Sequence, residues 1–131
     1  MKLNYDQVAV LLGKSKSSYN SAVRDHENGS NDRAISSLYY SCFQALFAYM
    51  LHIGKSSSKH TYVRSFLNKE LTLTGKVPIE LSKMYNELMD MRSDADYSPT
   101  IVFTSEEVSE LFLPVLRFNE IMESLIISQG N

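Results

Sequence analysis

With 131 residues, the chain suits one domain, spanning 1–131, with a core large enough to fold unaided. Hydrophobic content of 44% and charged content of 21% are those of an ordinary soluble globular protein. A single cysteine, Cys42, excludes an internal disulfide and fits a reducing cytosol, and the segment MKLNYDQVAV lacks the apolar core of a signal peptide.

The first predicted helix covers residues 5–27 and is weakly amphipathic, with Val8, Leu11, Leu12, Tyr19, Ala22 and Val23 on its apolar side. Asn28 and Gly29 then form a strong turn signal. Ser30, Asn31 or Asp32 can cap a second helix over residues 32–53, which Gly54 ends. Its segment Leu38–Leu51 is apolar on nearly every side, but 14 residues carrying Ser41 and Gln44 are too few to cross a bilayer of about 30 Å. A helix apolar all round must be covered all round, by its own fold or also by a second subunit. A cytoplasmic protein without a membrane partner is the expectation.

A short third helix over residues 60–71 presents Val63, Phe66, Leu67 and Leu71. It lies in the one basic part of the chain. Residues 54–76 carry five Lys/Arg against Glu70, +4, whereas residues 1–53 come to +1 and residues 77–131 to −7. The basic stretch either attracts phosphate or forms a solvated face. Pro78 is placed to open a fourth helix at its first position. Thr104 and Glu107 form a capping box for the fifth, flanked by Phe103 and Val108 at staple positions. Its stripe runs from Val108 to Leu125, and Pro114 predicts a bend within it. No segment alternates long enough to claim a sheet, and the fold expected is an all-α up-down bundle of four to five helices.

The fourth helix raises the functional question. On a wheel of about 100° per residue starting from Leu81, the apolar positions Met84, Tyr85, Leu88 and Ala95 share one side. Arg92 falls at about 20°, inside that stripe. A guanidinium stays charged at any ordinary pH, so burying it bare is expensive. Either it pairs internally, with Asp96 or a group from the second helix, or the stripe faces a cleft where a ligand anion reaches it.

The segments DRAISSLYYSCFQALFAYML, GKSSSKH, LTGKVPIELSKMYNELMDMRSDADY and FTSEEV, in this order, resemble the HEPN family, in particular its small stand-alone prokaryotic members. The resemblance covers residues 5–128 and implies a four- or five-helix bundle, a homodimer formed across a cleft, and pairing with a minimal nucleotidyltransferase in a toxin–antitoxin or related module. It also implies that Arg92 matches the arginine of the ribonuclease branch, where a histidine follows after four to six residues. Here Tyr97 stands at that spacing, with Ser98 and Pro99 after it, and none of His26, His52 and His60 has an arginine at the required distance before it. Histidine exchanges a proton near neutral pH, whereas tyrosine, with a free value of about 10, ordinarily does not. The expectation is therefore a binding component, non-cleaving or atypical, that holds nucleotide or RNA phosphate or a nucleotidyltransferase in a cleft of Arg92, Asp96 and Tyr97. The alternatives are a ribonuclease with another acid/base group and a purely structural dimerisation module.

Further candidates are Tyr39 and Tyr40, which either bracket a nucleobase or fill the core, and Arg33, near the start of the same helix, as a phosphate contact or a surface charge. Lys59 and His60 mark the entrance to the third helix, an anion site by charge and dipole. His60 has no second histidine or cysteine at a ligand spacing, so no metal is expected, and no phosphate loop or triad pattern calls for a cofactor.

Overall fold

The computed structural model describes residues 2–130. The first helix, α1 (Lys2–Glu27), stops at the turn signal by a Schellman motif. Gly29 takes φ 78°, its N–H donates to His26 O at 3.1 Å, and Ser30 N donates to Asp25 O at 2.8 Å. The same device closes α2 (Asn31–His52): Gly54, at φ 91°, donates to Leu51 O, and Lys55 N donates to Met50 O. Ser30 occupies the cap position of α2 without a side-chain hydrogen bond, while Asn31 Nδ2 reaches across to Phe103 O at 2.8 Å.

The apolar helix α2 is the centre of the fold, packed against α1, against the helix Ile79–Tyr97 and against the helix Phe112–Gly130. Tyr39, Leu46 and Tyr49 of α2 join Tyr85, Phe118 and Met122 in the fully buried core. The covering that its composition demanded therefore comes largely from its own chain. One polar seam crosses this interior. Ser15 Oγ donates to Ser41 O and Ser41 Oγ to Ser15 O, each at 2.7 Å, and Asn119 Nδ2 donates to Ser41 Oγ at 2.9 Å. Small side chains and reciprocal bonds let two helices approach without leaving a buried hydroxyl unpaired.

The third helix, α3 (His60–Phe66), continues as a π-helical segment, Leu67–Thr72, with Leu67 and Leu71 buried. The side chains of Asn68 and Asn86 exchange two hydrogen bonds, at 3.2 and 3.1 Å, and so tie this segment to α4 (Ile79–Tyr97). Pro78 stands just outside α4 as its cap, not at the first helical position. Its ψ of 143° is extended, and its carbonyl accepts from Leu81 N and Ser82 N.

The capping box at Thr104 forms as expected, with both bonds at 3.1 Å, and Phe103 and Val108 are buried. The helix it starts does not bend at Pro114 but ends early. A short α5 (Ser105–Ser109) gives way at Glu110–Leu111 to α6 (Phe112–Gly130). The break puts Pro114 in the first turn of α6, where a missing N–H leaves no hydrogen bond unmade. Among the described residues no strand occurs, and no helix is long and apolar enough to cross a membrane.

Candidate functional site

Arg92 emerges from the inward face of α4, one turn beyond the buried Leu88, and meets the tyrosine pair of α2. Its Nη2 donates to Tyr40 Oη at 2.7 Å. Its guanidinium carbon lies 5.2 Å from the ring centre of Tyr40 and 5.8 Å from that of Tyr39, within cation–π range. Nε lies 3.0 Å from Asp96 Oδ2, an ion pair one turn apart, but its N–H is not directed at that oxygen and makes no hydrogen bond. Asp96 turns its other oxygen to Ser36 Oγ, at 3.0 Å. Nη1 has no hydrogen-bond partner among the described residues. The Arg92 side chain is 22% exposed and that of Asp96 34%, so the pair is neither sealed in the core nor free in water.

Both internal partners weighed from the sequence are thus present: Asp96, and a group of the second helix, Tyr40. Neither saturates the guanidinium. Two shallow depressions flank the arginine. A groove of about 320 Å³ between α1 and α2 is lined by Lys14, Ser18, Ser36, Ser37, Tyr40 and Gln44. A second, of about 460 Å³, is lined by Asp25, Asp32, Arg33, Ser36, Ser37 and Asp96. Arg92 itself lines neither; its contacts Tyr40 and Asp96 each line one. The first groove is cationic and hydroxyl-rich; the second holds three carboxylates against Arg33.

The histidine of the basic segment joins the same cluster. His60 opens α3, and its ring stacks on Phe43 with centroids 4.4 Å apart and planes 12° apart. Its Nδ1 is 2.6 Å from Tyr39 Oη, and its ring meets Tyr40 edge-on at 6.0 Å. Burial and then the Arg92 charge lower the pKa of His60 below its usual value, which favours neutral imidazole. Burial raises that of Tyr39, and it holds the Tyr85 hydroxyl beneath well above the phenol range, so both remain protonated.

The other candidates separate. Tyr97, the last residue of α4, is 74% exposed, and none of the described contacts joins it to Arg92. Arg33 is exposed in the acidic depression, and Lys59 is exposed at the cap of α3 beside His60. Tyr39 is core, while Tyr40 is half-buried and lines a groove. Sequence reasoning missed Ser36, Phe43 and Lys14. The helical spacing of Ser36 from Tyr40 and of Tyr39 from Phe43 was the available signal. Among the described residues, no three of His, Cys, Asp or Glu come together to hold a metal ion. Cys42 is fully buried with its thiol pKa pushed far up, so it offers no nucleophile.

The structure is a helical bundle centred on one apolar helix, with an incompletely paired arginine beside an aromatic cluster. The family described as HEPN domain matches residues 8–125, and the chain belongs to it. It is 36% identical over 93 residues to a Thermotoga maritima protein named "UPF0332 protein", covering 71% of this chain and 70% of the relative. It is 30% identical over 112 residues to a Methanocaldococcus jannaschii protein named "Putative toxin MJ0142", covering 85% of this chain and 76% of the relative.

Proposed function

We propose that this chain is the phosphate-binding member of a toxin–antitoxin-type pair in the cytoplasm, holding a nucleotide or RNA through Arg92 and working with a minimal nucleotidyltransferase as a homodimer. One observation carries the binding half: Arg92 is incompletely hydrogen-bonded, and the Tyr40 that it donates to lines a groove with Lys14 and serine hydroxyls. A guanidinium pinned by ring faces and one hydroxyl keeps its charge and its fork for a phosphate. Asp96, which meets Arg92 through one oxygen and Ser36 through the other, is the group that an incoming anion displaces. The toxin name of the archaeal relative supports the module half.

Fluorescence anisotropy with a labelled single-stranded oligoribonucleotide, and competition by ATP and AMP, tests the binding half. Binding that falls about tenfold in Arg92→Lys, which keeps charge but loses the fork, is expected. Equal binding by wild type and Arg92→Ala sinks the reading. For the module half, co-purification with the product of a neighbouring nucleotidyltransferase gene is the measurement.

A further inference from the structure

A trough of about 460 Å³ lies between α1 and α6, lined by neither Arg92 nor His60. Both helices pack on α2, and their backbones make little contact with each other. Side chains bridge them: Tyr19 Oη donates to Phe112 O at 3.2 Å, and Lys16 Nζ pairs with Glu123 at 3.5 Å. Helical spacing brings Leu12, Lys16 and Tyr19 opposite Leu116, Asn119 and Glu123, and Ala45 of α2 offers only a methyl group between them. Two features say what the trough takes. The first is an unspent acceptor. Ser15 Oγ and Ser41 Oγ each give their hydrogen to the other residue's carbonyl, so Ser41 Oγ can only accept from Asn119, and the amide must face it with nitrogen. The amide oxygen is thereby turned from the seam, and Oδ1 is buried without a partner. A buried acceptor lacking a donor keeps its desolvation cost, and native structures rarely leave one. The second feature is charge. Glu120 has no ion pair among the described residues, and Lys16 is already matched by Glu123. An incoming anion meets a net negative rim, whereas a cation meets an unpaired carboxylate.

We propose that this trough binds a small organic cation, a protonated primary amine carried on an apolar body the size of one aromatic ring and a short chain. The body lies on Leu12, Tyr19, Ala45 and Leu116. The ammonium group donates one hydrogen to Asn119 Oδ1, and Glu120 and Glu123 balance its charge. The volume and the make-up, an apolar floor with a few polar groups, are those of small-ligand sites. Oδ1 is closed to water in the free protein, so part of the wall must move to admit the ligand. The Lys16–Glu123 pair is that part: its side chains are 73% and 39% exposed, and an exposed pair opens at little cost. Lys16 then swings into solvent, and Glu123 turns to the ammonium, so no buried charge is left unmatched. The site does not involve Arg92 and stands apart from the phosphate reading.

The test titrates three probes with one body and different heads, phenethylamine, 2-phenylethanol and phenylacetate, into the full chain, followed by proton–nitrogen correlation NMR. Expected is a saturable shift of amides in residues 12–20 and 116–123 by phenethylamine, with a Kd of about 0.1–1 mM for a ligand of this size. The alcohol should bind about tenfold more weakly, and phenylacetate not measurably. Glu120→Gln combined with Glu123→Gln should weaken the amine about fivefold or more and leave the alcohol within about twofold of wild type. Asn119→Ala should weaken amine and alcohol alike, because both donate. Its melting curve is recorded, since Ser41 loses a partner, and the carboxylate variant on the rim keeps the test independent of it. No saturable response to phenethylamine overturns the inference. So do equal binding of the three heads, which marks a mere apolar patch, and a preference for phenylacetate. Amide shifts in these residues that follow protein concentration and not the amine assign the trough to a second copy of the chain and overturn it as well. Oligoribonucleotide binding through Arg92 is untouched by any of these outcomes.

Discussion

Replacing Arg92 measures what holds it. Were the guanidinium locked in a dry ion pair, Arg92→Ala would strand a carboxylate and remove about 3–5 kcal/mol. The geometry argues for less. Asp96 is one-third exposed and keeps Ser36, so it stays hydrated and bonded after the arginine is gone. The misdirected Nε contact is then worth about 0.5 kcal/mol, as for other part-exposed pairs. The charge-assisted bond to Tyr40 adds about 1.5 kcal/mol and the stacked tyrosine faces about 0.5–1. Arg92→Ala should therefore lose about 2.5–3 kcal/mol, a fall in Tm of roughly 8–12 °C for a domain of this size. Double-mutant cycles by urea denaturation resolve the pieces. The Arg92/Tyr40 coupling, with Tyr40→Phe, should exceed the Arg92/Asp96 coupling, with Asp96→Ala. The reverse order, or a loss above about 5 kcal/mol, would refute the view of an arginine held by aromatics and open to a ligand.

Three further outcomes are expected from the same structure. His60 is stored neutral with a lowered pKa, so the unfolded chain binds a proton that the folded one refuses; stability should decline as pH falls from 6.5 toward the lower folded value, and His60→Gln should flatten that decline in denaturant titrations across pH 7.5 to 5. Cys42, fully buried with a raised pKa, should resist thiol reagents at pH 8 in the native state and react at once in denaturant; rapid native labelling would mean that α2 opens locally. Sedimentation at tens of micromolar, about where an interface of standard size holds, should show a dimer, and a monomer there removes the homodimer from the proposed function.

Much of the fold was written locally. Asn28–Gly29, Gly54 and the Thr104–Glu107 box act within one or two turns, so their structural effect could be read from the residues themselves. Arg92 was placed correctly because a wheel needs only helical geometry, and four buried neighbours, Leu81, Met84, Tyr85 and Leu88, confirm the stripe. The break before α6 was not legible. It depends on a balance between continuing α5 and seating Pro114 in a first turn, which the apolar stripe running through both helices conceals. The approach of His60 was hidden for another reason. It depends on how residues 55–59 return the chain to α2, and no spacing rule reaches across a loop.

The tyrosine pair explains why a site assembled across that loop is coherent. Adjacent residues on a helix point about 100° apart, so Tyr39 and Tyr40 cannot both face inward. Tyr39 goes into the core against Tyr85 and takes the His60 nitrogen; Tyr40 turns to the groove and takes the Arg92 nitrogen. One dipeptide thereby holds the His60 ring from α3 and the Arg92 guanidinium from α4 by phenol groups rather than by a carboxylate between them. That omission matters chemically. A carboxylate bridging the two would raise the imidazole pKa and occupy the guanidinium fork, spending both groups on each other. Phenolic hydroxyls and ring faces restrain both groups without a carboxylate beside the imidazole, whose pKa burial and the Arg92 charge keep low.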